Sequence, residues 1–68
     1  MLNRQKFLGR MVEAGYSQRS LAQAVGMSKN SMNAKINGNG CFDTEQIDKI
    51  CKELGIVSGS EKADIFLA

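Results

Sequence analysis

Apolar residues recur in this chain in a fixed relation to polar ones. Four times, an apolar residue precedes a residue able to cap a helix, and a second apolar residue follows four positions after the cap. The sets are Leu2-Asn3-Phe7, Tyr16-Ser17-Leu21, Met27-Ser28-Met32 and Phe42-Asp43-Ile47. In such a start the cap's oxygen accepts an orphan backbone N–H, and the apolar pair sets the angle at which the chain enters the helix. Four starts predict four helices.

Helical periodicity sets their extents. The first helix is predicted over residues 4–14, with Phe7, Leu8, Met11 and Val12 facing inward and Gly15 as a left-handed stop. The second is predicted over 18–25, burying Leu21, Ala22 and Val25. The third runs over 29–37 and ends at Gly38. The fourth covers 44–54, with Ile47, Ile50, Cys51 and Leu54 at i, i+3, i+4 and i+7 and Gly55 just beyond. Asp43 and Gln46 form a capping-box variant at its start. The loop Asn37-Gly38-Asn39-Gly40 has the most flexible composition. Ser58 and Glu61 match a capping box, so a short fifth helix is expected there, ahead of Ile65, Phe66 and Leu67. That apolar trio closes the core of a monomer, or forms a dimer interface as a strand or packed turn; both readings stay open. The expected fold is all-α, a compact domain of four to five helices.

Composition narrows the class. A chain of 68 residues allows one domain over 1–68, and one that buries only about 60% of its unfolded surface. Hydrophobic residues at 43% and charged residues at 24% suit neither a disordered nor a membrane-spanning chain. No apolar run approaches the roughly 18 residues of a spanning helix. Arg4 and Lys6 lead into no apolar stretch, so no signal peptide is expected and a cytosolic chain is the default reading. Cys41 and Cys51 are too few and too far apart for a metal site, and no histidine completes one. Cys51 falls on an apolar stripe and Cys41 in a loop, which reads as two free thiols. No acid–base pair or phosphate loop points to catalysis, so no enzyme and no cofactor is expected.

Charge sharpens the picture. In residues 1–42, Arg4, Lys6, Arg10, Arg19, Lys29 and Lys35 stand against Glu13 alone, a net +5. In residues 43–68, three lysines stand against six acids, a net −3. The basic half is the half a polyanion would meet.

That half contains the most informative segment. Residues 17–38 read SQRSLAQAVGMSKNSMNAKING: two short helical patterns, each opening on a serine, about one Gly-Met pair. Gly26 supplies the positive φ of a sharp turn, and Ala22 is small where the two helices must approach. Leu21, Val25, Met27 and Met32 would pack beneath the turn. The start of the third helix then points outward with unsatisfied N–H groups and positive dipole character. A helix pair of this kind, with amines and amides at the second helix's start, is a helix-turn-helix that reads DNA.

The segment resembles the helix-turn-helix of the lambdoid phage repressor and Cro proteins, within the wider XRE family. The matching residues are Gln18, Leu21-Ala22, Val25-Gly26-Met27, the Ser28 cap, Met32 and Asn37-Gly38, followed by Leu54-Gly55-Ile56. The similarity covers roughly residues 3–57 and implies a compact repressor-like domain. It implies base reading by Lys29 and Asn30 in the first turn of the third helix and by Asn33 one turn on, with Ala34 against a thymine methyl. It implies that Gln18 contacts phosphate and braces the first reading side chain, and that Asn37 contacts phosphate beyond the helix. Side-chain chemistry agrees, since lysine suits guanine O6/N7 and asparagine pairs with adenine N6/N7. Arg19, Lys35 and Arg10 are further phosphate candidates, and Ser17, Ser28 and Ser31 complete the set. The family usually carries an apolar residue where this chain has Lys35; here Ile36 can serve the core while Lys35 lays its stem over it.

The expected function is therefore a sequence-specific transcriptional regulator of phage or prophage type, dimeric on a pseudo-palindromic operator. The alternative is a modulator or antirepressor that uses the same surface to engage a partner regulator protein, for which the acidic second half and the apolar tail would suit.

Overall fold

The computed structural model describes residues 2–67. It contains five helices in the order α1 (Arg4–Glu13), α2 (Gln18–Ala24), α3 (Lys29–Ile36), α4 (Thr44–Leu54) and α5 (Gly59–Phe66). Each begins where a capping side chain accepts a backbone N–H. Asn3, Ser17, Ser28, Asp43 and Ser58 accept from Lys6, Ser20, Ser31, Gln46 and Glu61 respectively. The apolar residue before each of the first four caps packs against the core: Leu2, Tyr16, Met27 and Phe42 are all half-buried there.

The helix ends use one device repeatedly. At the close of α2, Gly26 N–H donates to the Gln23 carbonyl and Met27 N–H to the Ala22 carbonyl, at 3.3 and 2.8 Å. This paired closure needs the residue beyond the cap in the left-handed region, and Gly26 sits there with φ 74°. α1 closes in the same way, with Gly15 bonding to Val12 and Tyr16 to Met11. Tyr16 and Met27 thus complete one helix and staple the next. The tripeptides Gly15-Tyr16-Ser17 and Gly26-Met27-Ser28 are the same corner made twice.

α2 packs chiefly against α3, with α4 behind α2 and α5 against α1. The shared core holds Phe7, Leu21, Met32, Ile36, Ile50 and Ile65, each essentially without exposure. Three aromatic rings tie the chain's two ends together. Phe7 stacks on Phe42 at 5.8 Å, and both meet Phe66 edge-on at 6.0 Å. Asn3 N–H also donates to the Ile65 carbonyl at 2.6 Å, so α5 closes over the start of α1.

Several expectations change. Val12 is 70% exposed. On a helix advancing about 100° per residue, the Phe7–Met11 line faces the core, Leu8 lies at its edge, and Val12 is carried past it. The tail resolves as α5, which buries Ile65 and Phe66 and leaves Leu67 exposed. An interface built from all three would have to open the core, so Ile65 and Phe66 are withdrawn as dimer residues. Ser58 caps α5, but Glu61 does not reach back to it; its carboxylate goes to Arg10 Nε at 3.4 Å.

Candidate nucleic-acid interface

α3 presents its first turn to solvent. Lys29, Asn30 and Asn33 are exposed, while Ser31 and Ala34 are half-buried on its flanks. Met32 and Ile36, one turn apart, anchor the opposite side in the core. A helix of eight residues has little stability alone; its packing on α2 is what holds the exposed side chains in place. The Ser28 hydroxyl accepts the Ser31 N–H at 3.0 Å and its carbonyl the Met32 N–H, so the cap is engaged, as a helix start with orphan donors requires.

Around that turn stand the other candidates. Ser17 is exposed and shares a reciprocal capping box with Ser20, each hydroxyl accepting the other's backbone N–H at 3.1 and 2.9 Å. Gln18 is half-buried and Arg19 exposed at the start of α2. Asn37 caps the end of α3, and its Nδ2 donates to Asn33 Oδ1 at 3.3 Å. That contact uses Asn33 Oδ1 and leaves the Asn33 Nδ2 donors without a partner among the described residues. Lys35 lies half-buried, and its ammonium donates to the Cys41 carbonyl at 3.2 Å. The amine thus closes the following loop rather than facing outward.

Arg10 is displaced from the interface altogether. Its guanidinium donates to the carbonyls of Leu54 and Gly55 at 3.2 and 3.3 Å, satisfying the end of α4, and pairs with Glu13 and Glu61. A cation at a helix C-terminus meets its partial negative charge. No phosphate role remains for it.

The charge distribution follows from how the acids are used. Each of the seven carboxylates is engaged by the chain itself. Glu13 and Glu61 meet Arg10, Glu45 meets Lys49, Asp48 meets Lys62, and Asp64 meets Lys6. Asp43 caps α4, and Glu53 accepts the Tyr16 hydroxyl at 2.7 Å. None of these partners lies on α2 or α3. Residues 14–42 carry no carboxylate at all. Arg19 and Lys29 form no ion pair among the described residues, so their field reaches solvent undiminished.

The Tyr16–Glu53 bond is a link that sequence reasoning missed, because 37 positions separate the partners. It ties the corner before α2 to α4. The carboxylate stabilises the neutral phenol as a hydrogen-bond acceptor and opposes the phenolate, so the Tyr16 pKa lies above its ordinary 10.0. A raised acid pKa contributes stability at pH below the unfolded value and loses it as pH rises through the folded one. With one tyrosine and no tryptophan in the chain, phenolate absorbance should give a single midpoint above 10.0, and Glu53→Gln should lower it. A midpoint at the ordinary value would mean the bond does not form in solution.

Burial pushes the Cys51 thiol up, leaving it an unreactive core residue. No cluster of three potential metal ligands occurs among the described residues, and no helix among them is long and apolar enough to cross a membrane.

A capped helix pair around a glycine corner, with the second helix's polar turn outermost, is a helix-turn-helix. The family model for the Cro/C1-type HTH DNA-binding domain matches residues 6–58, most of the chain, and the protein belongs to that family. No curated protein and no solved structure matches it significantly.

Proposed function

We propose that this DNA-binding regulator of the Cro/C1 type reads one operator sequence by inserting the start of α3 into the major groove. One observation carries the reading. Lys29, Asn30 and Asn33 stand exposed within a stretch, residues 14–42, that carries no carboxylate, and Arg19 and Lys29 form no ion pair among the described residues. In this reading Lys29 and Asn30 contact base edges, Asn33 reads one turn further, and Ala34 meets a thymine methyl. Ser17, Gln18, Arg19, Ser28, Ser31 and Asn37 hold phosphates, and Lys35 joins them if its amine leaves Cys41.

Two copies on a pseudo-palindrome complete the proposal. Successive major grooves lie about 34 Å apart, and a domain measuring 28 × 24 × 21 Å can place two such helices at that spacing from a side-by-side pair. Leu67 is the tail residue left to contribute to that contact. In this reading the regulator works in the bacterial cytoplasm, in a phage or prophage setting.

Asn30→Ala tests the reading directly. On a duplex selected from a random pool, the variant should lose about 1–3 kcal/mol and relax preference at one base pair. Equal loss on all sequences would remove Asn30 from base reading. Tight capture of a regulator protein with no DNA binding would favour a modulator instead.

A further inference from the structure

Two Asn-Gly pairs follow α3 in tandem, Asn37-Gly38 and Asn39-Gly40. In such a pair the glycine nitrogen meets no side chain of its own as it approaches the preceding asparagine's Cγ. The structure treats the two pairs differently. Asn37 is held at both reacting ends. Its side-chain amide donates to Asn33 at 3.3 Å, and the Gly38 N–H donates to the Lys35 carbonyl at 3.2 Å. Asn39 donates its backbone N–H to the Ala34 carbonyl at 2.8 Å, which completes the closure of α3. Its side chain has no hydrogen bond among the described residues, and neither does the Gly40 N–H. Both residues are exposed, and Gly40 takes φ 121°, a region open to glycine.

We propose that Asn39 is a site of spontaneous deamidation, and that the hydrogen bonds of the Asn37-Gly38 pair protect Asn37. The Gly40 nitrogen attacks Asn39 Cγ. The bond from Cγ to the amide nitrogen breaks, and that nitrogen leaves as ammonia, carrying the proton from the Gly40 N–H. Water then opens the cyclic imide at either carbonyl, leaving aspartate or isoaspartate at position 39. No electrons are transferred, and the co-reactant is water.

The product matters because of where it lies. It sets a carboxylate at the negative end of the α3 dipole, inside a segment that otherwise has none. Lys35 runs beside the next residue, its Cγ 3.8 Å from the position a Cβ on Gly40 would take and its ammonium on the Cys41 carbonyl. The new charge draws the Lys35 ammonium and opposes phosphate approach. Deamidation at Asn39 therefore weakens DNA binding with age, a consequence that rests on the DNA-reading function above.

The full chain held at mildly alkaline pH over days, followed by peptide mapping, tests the site without DNA. Asn39 should gain one mass unit, with both aspartate and isoaspartate present, while Asn37 lags severalfold. In urea the two rates should converge, because the protecting bonds are gone. Asn37 reacting as fast as Asn39 in the folded chain, or neither reacting, overturns the proposal. Asn39→Asp then tests the consequence on the selected duplex. It should bind several-fold more weakly at low salt, with the gap narrowing as salt screens the charge. Unchanged affinity overturns the consequence alone, whereas an unaged chain with no DNA affinity overturns the DNA reading and leaves the mass shift at Asn39 standing.

Discussion

Phe7→Ala should leave the domain largely unfolded under conditions where the parent chain is folded. Phe7 has no exposure and lies against Phe42 at 5.8 Å and Phe66 at 6.0 Å. Truncating a buried phenylalanine costs about 3–5 kcal/mol, through lost transfer energy and the cavity left behind. Stability near 0.05–0.15 kcal/mol per residue gives a chain of this size only about 3–10 kcal/mol in all. The three rings also join α1, the loop before α4, and α5, so their loss frees the tail as well. Urea unfolding followed by far-ultraviolet circular dichroism checks this. Val12→Ala is the control: that side chain is 70% exposed, and its loss should stay within about 0.5 kcal/mol. Equal effects at the two positions would mean that α1 packs by another face.

The second large effect concerns recognition rather than folding. Lys29→Glu should lower affinity for the selected duplex by about 10²-fold or more while leaving the unfolding midpoint nearly unchanged. Loss of a lysine–guanine contact costs about 1–3 kcal/mol, and a carboxylate facing the phosphates adds like-charge repulsion. Folding is spared because Lys29 is exposed and forms no ion pair among the described residues. An acid in the first turn even suits the helix dipole. Separate titrations of DNA binding and of thermal unfolding distinguish the two outcomes. Undiminished affinity would show that the start of α3 does not approach the duplex.

The helix starts were legible because their determinants are local. A cap and the N–H that donates to it lie three residues apart, and the stapling pair five, so Asn3, Ser17, Ser28 and Asp43 could be read directly from spacing. The helix ends fell one residue short of expectation for α1, α2 and α3, since Ala14, Val25 and Asn37 are the half-helical caps themselves. What stayed hidden depends on partners distant in sequence. Arg10 carries the same charge as a phosphate-binding arginine, and nothing near it in the chain announces the carbonyls of Leu54 and Gly55 more than 40 positions away. Glu61 fits a capping box until Arg10 is placed beside it. Ile65 and Phe66 looked equally suited to a core or an interface, because an apolar cluster does not encode which surface covers it; the rings of Phe7 and Phe42 decide that. The polar residues of α3 were readable as a group from the acid-free stretch around them. The Asn37–Asn33 contact and the Lys35–Cys41 contact were not, since they depend on how the chain leaves the helix.

Whether the start of α3 reads DNA is decided by binding to the selected duplex and to random DNA across a salt series. The selected sequence should be preferred by at least ~10³, with an affinity that falls steeply as salt rises. Equal, salt-insensitive affinity for both duplexes would contradict that reading.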